Sequence, residues 1–228
     1  MPRGRLISLE GGEGAGKTTQ LPRLVRALES AGIAVLATRE PGGSAGAEAI
    51  RRLLLEGDSA RWDAQQEVLL LMAARRDHVA RLIEPALARG KWVVCDRFAD
   101  STLAYQGYGR GLNPADIAAL QRFALGNFAP DLTLILDVPV EIGQARIASR
   151  SADADRFERL DQAFHQRLRQ GFHDIAAANP GRCMLIDATG EVEAVHCAVL
   201  DAVARRLGVR FAAGGPSERP ASVAPGRQ

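Results

Sequence analysis

Residues 6–21 read LISLEGGEGAGKTTQL, and the reading of this stretch decides the fold. An apolar run ends at Glu10, a glycine-rich turn follows, and a helical pattern opens near Thr18. Gly11, Gly16, Lys17 and Thr18 meet the pattern G-x-x-x-x-G-K-[ST] between strand and helix, the context in which that pattern cradles phosphate. With Gly12, Gly14, Ala15 and Thr19 they form a loop whose small residues let successive backbone N–H groups turn inward. The helix N-terminus adds a partial positive charge. Lys17 would bring a mobile full charge to the β and γ phosphates, and Thr18 a hydroxyl to Mg²⁺. The loop therefore predicts a bound nucleoside triphosphate. Glu13 is the anomaly, because a carboxylate has no business beside phosphate.

Composition bounds the rest. The 228 residues suffice for one α/β domain with a sizeable core. A net charge of +2 is too small to argue for nucleic acid. Lys17 and Lys91 are the only lysines among 29 basic residues, so an arginine means little without its position. Three cysteines, Cys95, Cys183 and Cys197, lie at scattered spacing, which fits reduced thiols in a cytoplasm. The start MPRGRLISLE lacks the apolar run of a signal peptide. The longest wholly apolar run, Val68 to Ala74, is far short of the roughly 20 residues that cross a bilayer. We expect a soluble cytoplasmic protein without a nucleic-acid or membrane partner.

Outward from the loop, short apolar runs alternate with longer helical patterns, as in parallel βαβ units. Strands are predicted at Leu6–Glu10, Ala34–Thr38, Trp92–Asp96, Leu132–Asp137 and Cys183–Asp187. Helices are predicted at Thr18–Ala31, Gly46–Glu56, Ala64–Arg89, Pro114–Leu125, Val140–Arg150, Leu160–Ala178 and Val192–Leu207, with a kink or break near Ile83 ahead of Pro85. His78, His165, His173 and His196 show no metal-ligand spacing and are expected on helix surfaces. Residues 1–211 read as a single domain. Residues 212–228, rich in Gly, Pro and Ser, read as a disordered tail.

The third strand ends WVVCDR, placing Asp96 where it would meet Mg²⁺. Arg97 follows in place of the second acid usual in motor and helicase ATPases, and no Asn precedes a Lys as in guanine-specific switches. Transfer to a small acceptor remains. TREPGG puts Arg39 at the end of the second strand, and DRFADSTLAYQG puts Arg97 at the end of the third. Ligands collect at this edge of an open α/β sheet. Two planar guanidiniums there suit the phosphate of an acceptor.

GGEGAGKTTQ, TREPGG, DRFADSTLAYQG and DLTLILDVP, in this order, resemble the thymidylate kinase family over roughly residues 5–207. The resemblance implies a P-loop kinase fold, a five-stranded parallel sheet in order 2-3-1-4-5 flanked by helices, with a lid, and transfer from ATP to dTMP in a homodimer. It implies that Glu13 faces the acceptor nucleoside, that Arg75 bonds the thymine 4-carbonyl, and that Thr102 and Gln106 approach the base with Ser101 in support. Tyr105 would close over the sugar and disfavour a ribose 2′-hydroxyl. Leu71 stands where similar enzymes place a stacking aromatic, so it is either a weaker base contact or a plain core leucine. Gly14 follows the loop acid where some members carry an arginine. The other subtype supplies that charge from a lid, here about residues 146–158. Arg150 is the first choice for stabilising the transferring phosphoryl and Arg146 the second; Arg156 lies in the same segment. Two rivals stay open at this point, another nucleoside monophosphate or deoxynucleoside kinase, and a nucleotide-binding regulatory module without an acceptor.

Overall fold

The computed structural model describes residues 2–56, 61–149 and 160–211. Five strands form one parallel sheet in the order β2-β3-β1-β4-β5. They are β1 (Leu6–Glu10), β2 (Val35–Arg39), β3 (Trp92–Asp96), β4 (Leu132–Asp137) and β5 (Cys183–Asp187). Flanking them are α1 (Lys17–Ser30), α2 (Ala45–Leu55), α3 (Ala64–His78), α4 (Glu84–Ala88), α5 (Ala99–Thr102), α6 (Pro114–Leu125), α7 (Val140–Ala148), α8 (Gln162–Ala178) and α9 (Val192–Leu207). This is the P-loop kinase sheet order expected above.

Alternation along each strand assigns its two faces. Ile7 and Leu9 of β1 pack with Leu24 and Leu28 of α1 and with Val195, Val199 and Val203 of α9. On the opposite face, Leu6, Val93 and Cys95 pack with Val79, Ile83 and Leu87. A third cluster joins Ile135 and Cys183 to Ala104, Tyr105, Phe164, Leu168 and Phe172. Caps match the local sequence: Asp63 and Gln66 exchange hydrogen bonds in a capping box that opens α3. Asp161 accepts the Phe164 N–H at the start of α8. Gly32 and Gly90 take positive φ of 79° and 78° after α1 and α4, ending both helices.

Two local departures from the sequence reading have physical causes. The long helix over residues 64–89 neither breaks nor sharply stops before Pro85; it widens into a π-helical stretch at Val79–Ile83 and resumes as α4. A second π-helical stretch, Leu103–Gly109, extends α5 in a region that carries no helical signal in the sequence. Its stability is tertiary. Gly109 makes room for the Phe164 ring and Gly171 of α8 for Tyr108.

α7 rests directly on the phosphate loop, backbone to backbone. A Cβ on Gly143 would lie 2.5 Å from the Glu13 carbonyl oxygen, and one on Gly14 would lie 2.2 Å from the Gly143 oxygen. We expect Gly143→Ala to destabilise the protein by roughly 1–3 kcal/mol through this overlap. Thermal unfolding should record about 2–4 °C of lost Tm per kcal/mol at this chain size. Gly181→Ala, where nothing lies within 4 Å, should leave Tm unchanged.

Candidate active site

The carboxyl ends of β1, β2 and β3 lie together, and register fixes their spacing. Asp96 of β3 is level with Leu9 of β1 and with Arg39 of β2. The loop after β1 runs into α1 through Gly16, whose left-handed φ of 93° turns the chain into the helix with no side-chain cap. The first N–H groups of α1 are thus kept for a ligand. Lys17 Nζ donates to the Gly11 and Gly12 carbonyls at 3.0 and 2.8 Å, holding the loop closed. Burial, and then the Arg97 charge, push its pKa down to about 8. Glu13, Asp96 and Glu10 offset this only in part, and an arriving phosphate would add counter-charge to the buried ammonium.

Arg97 is the pivot. Its φ of 65° makes it the one non-glycine residue of positive φ among the described residues. The Arg97 N–H donates to the Leu9 carbonyl at 2.9 Å, and the next N–H, of Phe98, to Glu10 Oε1 at 2.7 Å. The guanidinium reaches back to the loop. It donates to the Gly11 carbonyl at 3.1 Å, Ser101 Oγ at 3.3 Å and Glu13 Oε1 at 2.7 Å, and lies 4.9 Å over the Tyr105 ring. The Tyr105 hydroxyl donates to the same Glu13 oxygen. Burial alone would raise the Glu13 pKa; the Arg97 charge, the Lys17 charge and the Tyr105 hydroxyl outweigh it and hold the carboxyl at about 2.

One cavity of about 290 Å³ opens beside this group. The loop, Asp96, Leu71, Arg75, Thr102 and Gln106 line it. Arg75 is 2% exposed. It donates through Nε to Glu40 at 2.6 Å and through Nη2 to Thr102 Oγ1 at 2.9 Å. Glu40 also bonds His78 Nδ1 at 3.1 Å, and His78 Nε2 bonds Thr38 at 2.8 Å. Arg39 reaches the cavity from β2 while paired with Glu48 at 3.1 Å, and Arg51 of α2 lines the same wall. A second cavity, of about 420 Å³, lies across the loop, between Arg146 and residues 188–192. Arg146 donates there to the carbonyls of Ala188 at 3.0 Å and Thr189 at 3.3 Å, and to Gly14 at 3.4 Å. The loop thus separates two cavities, one lined by strand-end arginines and one by backbone carbonyls.

The thymidylate kinase family model matches residues 9–199. The chain belongs to the thymidylate kinase family. It is 54% identical over 209 residues to a thymidylate kinase of Caulobacter vibrioides, covering 92% of this chain and all of that relative. It is also 54% identical over 213 residues to one from a Bradyrhizobium species, covering 92% and 94% of the two chains. A crystal structure of thymidylate kinase from Ehrlichia chaffeensis superposes with a TM-score of 0.74 at 36% identity, covering 89% of this chain and all of that one.

The residues fit the groups this kinase family implies. Asp96 Oδ1 is buried with no hydrogen-bond partner, and Asp96 lines the cavity beside Thr18. That is a suitable pair of oxygen ligands for a hard cation. Of the residues singled out from sequence, Glu13, Lys17, Thr18, Arg39, Leu71, Arg75, Asp96, Arg97, Ser101, Thr102, Tyr105 and Gln106 all line one cavity. Arg146 lies on the other side of the loop. Arg150 and Arg156, with most of the expected lid, and the tail at 212–228 lie outside the described residues.

The histidine reading needs correction. His78, His165 and His196 are buried at 0%, 6% and 3% exposure, not on helix surfaces, because His78 and His196 meet polar partners distant in sequence. His173 alone is half-exposed, beside Asp137 at 3.0 Å. Sequence reasoning also missed Glu10, Glu40, Glu67 and Arg51. A carboxylate closing an apolar strand was the available signal for Glu10. Burial, then the Asp100 charge, push its pKa up to about 7. Arg51 carried no signal among so many arginines.

Glu13 gives a prediction in pH. Its folded pKa lies below the usual 4.5, so its contribution is complete above that value and is lost as pH falls toward about 2. The shift corresponds to roughly 3 kcal/mol at neutral pH. Thermal unfolding between pH 5 and 2.5 should therefore show a shallower acid decline for Glu13→Gln than for the wild type.

Proposed function

We propose that this member of the thymidylate kinase family binds dTMP in the cavity between β2, β3 and α3, and ATP with Mg²⁺ across the phosphate loop. It transfers the γ-phosphoryl group directly, without a covalent enzyme intermediate. Phosphorylation of dTMP to dTDP, a step toward dTTP, is the family's reaction. One observation carries the reading: the half-buried Arg97–Glu13 pair lines the same cavity as Lys17 and Asp96.

The nucleophile is a phosphate oxygen of dTMP. By analogy with phosphorylated side chains its second pKa is about 6, so it is largely ionised at neutral pH and needs no general base. What the chain must do is bring two polyanions together. Arg39 and Arg97 receive the acceptor phosphate, and Lys17 neutralises the charge that spreads over the moving group. Thr18 and Asp96 would hold Mg²⁺, which supplies further charge neutralisation when bound. Glu13 keeps Arg97 aimed and, with Tyr105, lies against the sugar, where Tyr105 leaves no room for a 2′-hydroxyl. Arg75, Thr102 and Gln106 read the base, and Leu71 packs on it without a stacking ring. Arg146 belongs to the donor side, and we assign the arginine-finger role to Arg150. Residues 1–211 act as one domain in a cytoplasmic setting that suits three free thiols. No helix among the described residues is long and apolar enough to cross a membrane.

A coupled ADP-release assay over dTMP, dUMP, UMP, CMP and AMP should show saturable turnover that is best with dTMP. Preference for a ribonucleotide would overturn the role of Tyr105. Lys17→Ala should fold normally and lose at least about a hundredfold in kcat.

The homodimer is supported by Leu53, Leu69 and Phe123, which are 41%, 57% and 92% exposed on α2, α3 and α6, with α3 packed against both neighbours. Sedimentation should record a dimer for the wild type and a monomer for Leu69→Glu combined with Phe123→Glu.

A further inference from the structure

Gln106 lies in the wall of the acceptor cavity at 1% exposure, and its amide is held from behind. Its Nε2 donates to Glu67 Oε2 at 2.9 Å. Glu67 is itself fully buried, and its other oxygen pairs with Arg110 Nη2 at 3.0 Å. A carboxylate paired with a guanidinium offers acceptors only, so the amide nitrogen must face Glu67. The amide oxygen is thereby turned the other way. That atom, Gln106 Oε1, is buried and has no hydrogen-bond partner. A buried acceptor left open in a ligand cavity marks the place of a donor that the ligand brings.

Arg75 lines the same cavity, and it can only donate. Glu40, Thr102 and the Phe98 ring hold its guanidinium in place. The cavity thus presents guanidinium donors together with one fixed amide acceptor.

We propose that Glu67 is a positioning residue for base selection: by fixing which way the Gln106 amide points, it sets the cavity to take a pyrimidine carbonyl beside a ring N–H. That is the edge of thymine, with the 4-carbonyl on Arg75 and N3–H on Gln106 Oε1. Cytosine presents the reverse. Its N3 is an acceptor facing an acceptor, and its amino group is a donor facing a donor. Without Glu67 the amide is free to rotate and present its nitrogen, which would accommodate the cytosine N3. The inference rests on the reading of this cavity as the dTMP site.

The test is the ratio of kcat/KM for dTMP over dCMP, with Tm and the KM for ATP measured on the same variants. Glu67→Gln should lower that ratio about tenfold while the KM for ATP stays within about twofold, because one buried hydrogen bond changes sense at the base alone. Glu67→Gln combined with Gln106→Glu should bring the ratio back to within about threefold of wild type, since a carboxylate shows oxygen to the base however it rotates. A folded Glu67→Gln that keeps the wild-type ratio, or an exchange variant that fails to restore it, would overturn the proposal. If Glu67→Gln does not fold, Gln106→Met decides: a ratio about tenfold lower supports the amide reading, and an unchanged ratio overturns it. Wild-type enzyme without turnover on dTMP would refute the substrate reading itself, a result separate from any of these.

Discussion

An arginine at the end of β3 and a carboxylate in the middle of the phosphate loop hold each other at 2.7 Å, and the geometry of the site depends on that contact. It explains why a phosphate loop carries an acid. Glu13 accepts hydrogen bonds from the guanidinium of the residue that follows β3 and from a phenol in the π-helical stretch beyond α5. The pair neutralises two charges that burial would otherwise penalise heavily. Both members of the pair line the cavity that Lys17 and Asp96 also line.

The sheet makes the contact possible. Strand order places β3 beside β1, and parallel register brings Asp96 level with Leu9. Chain continuity then sends the loop and the Arg97 turn out of the same edge. Arg97 adopts a left-handed backbone there, a conformation that costs energy in any side-chain-bearing residue. The Leu9 carbonyl and the Glu10 carboxylate receive the N–H groups on either side of the strained bend. Strain at the residue that reaches back to the loop is thus held by the strand that begins the loop. On the far side, Gly143 of α7 lies close against the backbone of Glu13 and Gly14, where a side chain would overlap it, and Arg146 donates to the Gly14 carbonyl.

Most of the framework was legible because its signals are local. Apolar runs bounded by glycine and proline marked the strands, three of which end at the aspartates Asp96, Asp137 and Asp187. The spacing of Gly11, Gly16, Lys17 and Thr18 marked the loop. What stayed hidden depends on partners distant in sequence. The stretch from Leu103 to Gly109 holds two glycines and no amphipathic period, and is helical because α8 covers it. His78 is buried because Glu40 and Thr38 satisfy both of its ring nitrogens from β2 and the turn after it. Glu67 reads as an ordinary acid in the first turn of α3, and only the fold reveals Gln106 and Arg110 around it. Arg39 illustrates the intermediate case. Its position at a strand end was evident, whereas its partner Glu48, nine residues on, was not.

The most direct test is a crystal structure with dTMP and a non-hydrolysable ATP analogue bound together. The account predicts the two nucleotides end to end, the Arg97 guanidinium within hydrogen-bond reach of the dTMP phosphate, and Glu13 still bound to it from the nucleoside side. An Arg97 side chain swung out of the junction, with Glu13 turned toward the triphosphate, would contradict it.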